Sequence, residues 1–336
     1  IIPNSVALIP KFLRTTLSSF SNSRNSLGFF LAYSSKSRLS SLELMLDTLE
    51  PISTLIIASA ISISMLLAAT RASTSNSKIS IMIRPDWYSI EKLTPSSLVD
   101  IVRFAFYKED LALALMQAKR ARELGYKVFL NPVNVTGYKK EELEEILDEI
   151  SDFSPDGVSV VDTFGSLTEK KMLPILEIFQ KKLKEDVTIG LHLHENLALS
   201  FSLAQKFLEL KSANREVVID SSVMGMGRIP GNLPTELLMQ YLNDEFGKSY
   251  QIHNVLDLVS SPISQIKNKI TWGYSPEYAF SAFLEIHRSY PEYLINNLNL
   301  SQDKAFSIMK SISETGEGGK FSKSLADKIL EDKLNI

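Results

Sequence analysis

The sequence predicts an α/β protein built on a parallel sheet. Between residue 78 and about residue 245, short apolar runs alternate with segments of helical periodicity at intervals of about 20 to 30 residues. Such alternation is typical of parallel strands joined by crossover helices. Six strand–helix units fit either an open doubly wound sheet or most of an eight-stranded barrel, and periodicity alone does not choose between the two.

The predicted strands are short apolar segments, most of them rich in β-branched residues. They cover residues 79–83, 100–106, 126–131, 157–162, 187–194 and 216–220. Five helices are predicted where apolar residues recur at helical spacing, over residues 109–124, 140–150, 168–184, 197–210 and 234–243. Gly125 ends the first of these helices, and Pro234 suits the first turn of the last.

The alternation stops after residue 245. Helices are predicted over residues 252–259, 276–287, 292–298 and 302–312, and the glycines between residues 316 and 319 indicate a mobile loop. We therefore expect a barrel or sheet region over residues 78–245 and a helical C-terminal region over residues 246–336.

Residues 1–77 differ from the rest in composition. They are rich in serine and leucine and contain only three acidic residues, Glu43, Asp47 and Glu50. The first residue is Ile rather than Met, which indicates a fragment or a processed product. We expect this segment to be atypical, as either non-native coding sequence or a disordered region.

Its uncharged run over residues 52–69 contains four serines and a threonine, so we predict no membrane span and a cytoplasmic protein.

Composition excludes several functional classes. The net charge of −3 over 336 residues gives no general attraction to nucleic acid. The chain has no cysteine, so disulfides, thiolate nucleophiles and cysteine-bound zinc are excluded. Any metal must be held by imidazole, carboxylate, amide or carbonyl groups, which favours a divalent ion such as Mn, Mg, Co or Zn.

Polar residues cluster near the carboxyl ends of the predicted strands. In parallel sheets and barrels the ligand sites lie at that edge, so these side chains are expected to converge. The set is Arg103 (within its strand), Asn131, Asp162, His192, His194, Asp220 and Ser221.

His192 and His194 are the most specific pair in this set. They are two of only four histidines, and alternate residues of a strand point to the same side of the sheet. They are therefore placed to bind one metal ion, although a His-x-His pair can also lie on a solvated face.

The glycine-rich segment over residues 225–232 follows the sixth predicted strand. Glycines let the backbone approach a ligand closely, but the spacing fits neither a Walker loop nor a dinucleotide-binding fingerprint. Taken alone, the segment is either a phosphate-binding loop or a plain turn.

Together, the segments 190–196 (GLHLHEN) and 225–236 (GMGRIPGNLPTE) resemble the HMG-CoA-lyase-like, or DRE-TIM, metal-dependent aldolases, nearest to the 4-hydroxy-2-oxovalerate aldolase type. Segments 161–166 (VDTFGS) and 272–275 (WGYS) are similar to further parts of that family. The resemblance covers residues 78 to about 300. It implies a (β/α)8 TIM barrel whose first two β/α units are atypical or missing here, followed by a C-terminal helical extension.

The resemblance also implies a metal site and an activity. His192 and His194 would bind a divalent metal, with Asn232 as a further ligand or close neighbour. The reaction would be lyase chemistry, in which a C–C bond of a 2-oxo acid such as pyruvate is cleaved or formed through a metal-stabilised enolate. The family's first-strand Asp–Arg motif is not found in this sequence. Glu195 stands where Asp is usual, and Pro230 replaces a small residue.

Four further residues are catalytic candidates, each with an alternative role. Arg103 would pair with a substrate carboxylate or form an ion pair inside the barrel, and Asp162 would line the site. His287 would act as a general acid or base or lie on a helix surface. Tyr274 would donate a hydrogen bond to substrate or pack within the fold.

The leading prediction is an aldolase that depends on a divalent metal such as manganese and acts on a small 2-oxo acid or aldehyde substrate. No nucleic-acid partner is expected, and a homo-oligomer is possible. The alternatives are an acyl-CoA condensing enzyme related to isopropylmalate synthase, and a catalytically impaired barrel that acts as a binding protein.

Overall fold

The computed structural model describes residues 28–34, 40–45, 77–96 and 99–334, the first two ranges as backbone only. The predictions for the apolar run 52–69 and for the nature of residues 1–77 therefore fall largely outside the described residues. Among those described, no helix is both long and apolar enough to cross a membrane.

Eight strands form a closed barrel in sequence order. Strands β2 to β8 are parallel, and β1 runs antiparallel to its two neighbours, β2 and β8. The six predicted strands correspond to β3–β8, with ends within two residues of the prediction. The strands are β1 Gly28–Ser34, β2 Ser40–Met45, β3 Ser77–Ile83, β4 Ile101–Phe106, β5 Lys127–Pro132, β6 Gly157–Val161, β7 Thr188–His192 and β8 Val217–Ser221.

The first two strands depart from a regular TIM barrel, as the sequence predicted for the first two units. Ser34 and Ser40 have only residues 35–39 between them. A parallel connection with its helix needs about a dozen residues, whereas an antiparallel pair can be joined by a short loop. This spacing explains why β1 is reversed. The curled parallel part that matches a TIM barrel is the six-stranded portion β3–β8.

A helix follows each strand from β4 to β8, and these five helices cover the outside of the barrel. They are α1 Leu111–Glu123, α2 Lys140–Phe153, α3 Glu169–Lys182, α4 Ser200–Leu210 and α5 Thr235–Phe246. The Thr168 hydroxyl accepts the Lys171 N–H at the start of α3, an N-cap bond. Gly247, at φ 59°, ends α5. The core between helices and strands includes the fully buried Phe104, Leu130, Leu147, Phe179 and Phe207.

The predicted helical C-terminal region is present and contains more helices than expected. It comprises α6 Ile252–Leu258, α7 Ser264–Lys267, α8 Pro276–Phe283, α9 Ser289–Pro291, α10 Gln302–Glu314 and α11 Lys323–Leu334, with π-helical turns at Val259–Ile263 and Glu292–Asn297. Helix α11 was not predicted. A separate apolar core forms around Ile286, Tyr290, Leu294, Met309 and Ile312.

Three hydrogen bonds hold this region to loops that follow β7 and β8. The Trp272 indole N–H donates to the Met224 carbonyl over 2.8 Å, and the Gly273 N–H donates to the Pro230 carbonyl over 2.8 Å. The Asn196 amide donates to the Tyr278 carbonyl over 3.1 Å. The C-terminal region therefore covers the barrel face at which the strands end.

Arg215, which sequence patterns did not single out, stabilises the connection from α3 to β7. Its buried guanidinium donates to four backbone carbonyls, those of Gln180, Leu183, Lys184 and Val187. These include carbonyls at the end of α3, which have no partner within the helix.

We expect Arg215→Met to lower the free energy of unfolding by about 2–4 kcal/mol, because several buried carbonyls lose their donors. Arg122→Met is the matched control, since Arg122 donates to the carbonyls of Phe153 and Ser154 at the end of α2 but is exposed. Its loss should stay below about 1 kcal/mol. Equal losses in urea unfolding of the two variants would contradict this assignment.

Candidate metal centre at the carboxyl ends of the strands

Each of the strands β3 to β8 contributes at least one buried polar side chain, and six of these, one from each strand, are considered together. All six are at least 95% buried, and Ser80 Oγ and Asn131 Nδ2 have no hydrogen-bond partner there. The set is Ser80, Arg103, Asn131, Ser159, His192 and Asp220.

Arg103 and Asp220 form a two-bond ion pair across the barrel. Both Arg103 Nη1 and Nη2 lie 2.8 Å from an oxygen of the Asp220 carboxylate, and the side chains are only 3% and 2% exposed. Nη2 also donates to the Ser159 hydroxyl over 3.2 Å. A Cβ atom at Gly190 would collide with that hydroxyl, so glycine is required there. Of the two roles considered for Arg103, these contacts are those of an ion pair inside the barrel.

Asp220 also holds His192. Its Oδ2 atom lies 3.0 Å from His192 Nδ1. Burial alone would raise the pKa of Asp220, but the Arg103 charge and the hydrogen bond from His192 hold it below its usual range. The carboxylate is therefore ionised and accepts the bond, so Nδ1 of His192 is the donor. Asp220 is the acceptor for His192 that the sequence did not identify.

His194 is oriented in the same sense by a different group. Its Nδ1 lies 2.7 Å from the backbone carbonyl of Asp162, so Nδ1 donates and Nε2 carries the lone pair. Burial lowers the pKa of His194 to about 3, and the neighbouring His192, Arg288 and Arg228 act in the same direction. His194 is therefore neutral at physiological pH, the form that binds metals.

The spacing of the two rings suits a shared metal ion. The ring centroids are 4.9 Å apart and the planes meet at 83°. A metal about 2 Å from a ring nitrogen lies about 3.2 Å from that ring's centroid. Two imidazoles bound to one ion at angles of about 90–110° therefore have centroids separated by about 4.5–5.2 Å. The observed separation lies within this interval.

Asn232 is placed beside His194 by the glycine-rich loop. The two residues form an antiparallel backbone bridge, and the Asn232 amide donates to the Met226 carbonyl over 2.8 Å. The amide oxygen, Oδ1, is buried and has no hydrogen-bond partner. Gly231, at φ 102°, lets the chain turn back at this point. An unpartnered buried oxygen beside an imidazole fits a metal ligand.

The donor set available in the described part of the chain is two imidazole nitrogens and one amide oxygen. No cluster of three or more His, Cys, Asp or Glu residues suited to a metal occurs there. Three protein donors leave positions open for substrate oxygens. The carboxylate ligand that the family resemblance places on the first strand is not among them.

Asp162 lies at the end of β6, where its backbone contacts His194. Its Oδ1 atom accepts the Leu167 N–H over 3.0 Å. Burial raises the pKa of the carboxyl group to about 7, against the opposing effect of hydrogen bonds from the Leu167 and Ser166 backbone. Asp162 therefore changes protonation near neutral pH.

The structure separates the two remaining candidates. His287 is half-buried rather than on an open helix surface, with its ring edge-on to Phe164 at 6.2 Å between centroids, and its Nδ1 accepts the Ser289 N–H. Tyr274 is 63% exposed and lines a cleft of about 380 Å³ together with Ile229, Trp272 and Tyr278.

Part of the chain is similar to a known family. Residues 106–263 match the HMGL-like family. A 4-hydroxy-2-oxovalerate aldolase of Geobacillus thermodenitrificans is 26% identical over 215 residues, which cover 61% of this chain and 60% of the relative. A 4-hydroxy-2-oxovalerate aldolase of Marinomonas sp. is 23% identical over 231 residues, which cover 65% of this chain and 66% of the relative. The chain thus spans less than two thirds of the length of these relatives.

Solved structures confirm the barrel. The N-terminal domain of a Bacteroides vulgatus protein named as an aldolase is 25% identical to this chain, with a TM-score of 0.62. The match covers 72% of this chain and 78% of that one. The carboxyl transferase domain of Rhizobium etli pyruvate carboxylase is 10% identical with a TM-score of 0.59, over 81% and 50%. The second likeness concerns the fold alone.

A double-mutant cycle tests the buried ion pair. We expect Arg103→Met and Asp220→Leu each to cost about 3–5 kcal/mol of unfolding free energy, because each leaves a buried charge unpaired. The double variant should lose far less than the sum of the two. The control is the exposed pair Arg120 and Glu123. Arg120→Met and Glu123→Leu should show a coupling energy below about 1 kcal/mol. Additive losses at Arg103 and Asp220 would refute the pairing.

Asp162 should make stability fall as pH rises. The pKa of about 7 in the folded protein exceeds the unfolded value of about 3.9, so the folded state binds this proton more tightly. Its stabilising effect is complete below pH 4 and is lost as pH rises to about 7 and above. Asp162→Asn should therefore gain stability relative to wild type between pH 5 and pH 8, by on the order of 1–4 kcal/mol. A difference that does not vary with pH would contradict the shift.

Proposed function

We propose that the protein is a divalent-metal-dependent carbon–carbon lyase that acts on a 2-oxo acid, of the 4-hydroxy-2-oxovalerate aldolase type. The observation that carries the proposal is the orientation of His192 and His194, each of which has Nδ1 against an oxygen acceptor, so that Nε2 is the nitrogen that would bind the metal. The HMGL-like match and the names of the relatives support the same class of reaction.

His192 and His194 would hold the metal, with Asn232 Oδ1 as the third protein donor. A bound divalent ion supplies a Lewis acid for the keto and carboxylate oxygens of the substrate. Asp220 keeps His192 in the ligating tautomer, and a carboxylate partner also makes the imidazole a stronger ligand. Mn, Mg, Co and Zn all suit a site of imidazole and amide donors.

Aldol cleavage also needs a proton to move. A base removes the proton of the 4-hydroxyl group, and the C3–C4 bond breaks to leave an aldehyde. The electron pair of the broken bond forms the enolate of the 2-oxo acid. A proton then added at C3 gives pyruvate or its analogue. Asp162 is the candidate for this transfer, because a carboxyl group with a pKa of about 7 can both accept and return a proton at neutral pH.

The proposal predicts that the purified chain binds about one equivalent of divalent metal and releases pyruvate from 4-hydroxy-2-oxo acids. EDTA should abolish the release and added Mn²⁺ should restore it. His192→Ala and His194→Ala should each weaken metal binding by at least about tenfold, because each removes a ligand. His253→Ala, at an exposed position on α6, is the matched control and should retain both properties.

Metal binding should be measured directly as well as through activity. Wild-type binding that both histidine variants retain would refute the metal centre. Acetyl-CoA-dependent condensation without aldol cleavage would favour the acyl-CoA condensing enzyme instead. A folded protein with neither metal nor activity would favour a binding role.

A further inference from the structure

Arg288 is a buried cation that the proposed chemistry does not use. It follows α8 in the C-terminal region, and its side chain is 15% exposed. Its Nη2 atom donates to Glu292, whereas Nε and Nη1 are buried and have no hydrogen-bond partner. Buried donors without acceptors cost free energy, and unpaired ones at a guanidinium cost more than neutral ones. Such a group indicates an acceptor that binds there.

A second arginine adds to this positive charge. Arg228, from the glycine-rich loop, has Nη2 3.6 Å from the other oxygen of Glu292. Glu292 thus faces two guanidinium groups, and it also lies 3.5 Å from the Tyr278 hydroxyl. The Arg288 guanidinium carbon lies 5.5 Å from the centre of the Tyr278 ring. Glu292 is thus shared between two guanidinium groups, which attract a bound anion.

Packing places this cluster beside the histidine pair. His287, next to Arg288, packs its ring on Phe164. Phe164 lies two residues after Asp162, whose carbonyl accepts the bond from His194. Asn196, two residues after His194, donates to the Tyr278 carbonyl. The electrostatic effects of Arg228 and Arg288 both extend to His194.

We propose that Arg288, with Arg228, forms an oxyanion-binding site beside the histidine pair, which takes the carboxylate of the substrate or the phosphate of a phosphorylated substrate. Arg288 comes from the C-terminal region. The family resemblance instead places an arginine in a first-strand motif, and that motif is not found in this sequence. Only the ligand's identity as substrate rests on the proposed function. The existence of the anion site does not.

The test uses the full chain with EDTA present, so that its outcome does not depend on the metal. Thermal unfolding is followed at constant ionic strength while pyruvate or inorganic phosphate is added, with glycerol as the uncharged control. We expect saturable stabilisation by at least one of the two anions and none by glycerol. Saturation by pyruvate identifies a carboxylate ligand, and saturation by phosphate alone identifies a phosphorylated one.

Three variants assign the effect to the cluster. Arg288→Gln should weaken the apparent affinity by at least about tenfold, because a charge-assisted hydrogen bond is lost. Arg120→Gln, the same change at an exposed position on α1, should leave the affinity unchanged. Glu292→Gln should raise the affinity, since the competing carboxylate is neutralised. This variant keeps the test valid if Arg288→Gln fails to fold.

Absence of saturable binding in the wild type overturns the proposal, and so does equal affinity in the wild type and a folded Arg288→Gln. A weaker rather than tighter Glu292→Gln variant overturns it as well. Anion binding that survives in a His192→Ala protein lacking metal and activity would show that the anion site stands while the metal centre has failed. The two proposals are thereby distinguished.

Discussion

The Asp220 carboxylate is the group on which the interior of the barrel depends. It is nearly inaccessible to solvent, yet it accepts bonds from Arg103 and His192 on strands β4 and β7. A buried carboxylate without a cation would take up a proton. Arg103 keeps it ionised, and an ionised acceptor is what fixes the proton of His192 on Nδ1. The stability of the barrel and the chemistry of the histidine therefore rest on the same ion pair.

This arrangement makes the two histidines unequal. His192 donates to a carboxylate, whereas His194 donates to a backbone carbonyl. A carboxylate partner increases the electron density on an imidazole, so His192 would be the stronger ligand of a metal. The carbonyl fixes the orientation of His194 with a smaller effect on basicity. In the proposed site the pair would combine a strong donor with a weaker one, next to the amide oxygen of Asn232.

The sequence predicted the elements that periodicity and strand geometry determine. Strands β3–β8 and the five helices after β4–β8 follow from local patterns. The two histidines do lie close together as predicted, but β7 ends at His192, and His194 is placed by an isolated bridge to Asn232. The partner of His192 could not be predicted, because Asp220 lies 28 residues away and the contact depends on the register of β7 against β8. Arg103 had two possible roles because its long side chain reaches either the barrel interior or its mouth. Arg288 lies in a region with no repeating pattern.

The loops after β7 and β8, the strands that hold His192 and Asp220, are also the loops that the C-terminal region contacts. Trp272 and Gly273 bind the carbonyls of the glycine-rich loop, and Asn196 binds that of Tyr278. On the opposite side, β1 and β2 are too close in sequence for a crossover helix. A barrel arranged in this way can take a positive charge at its mouth from its C-terminal helices, which is the position that Arg288 occupies.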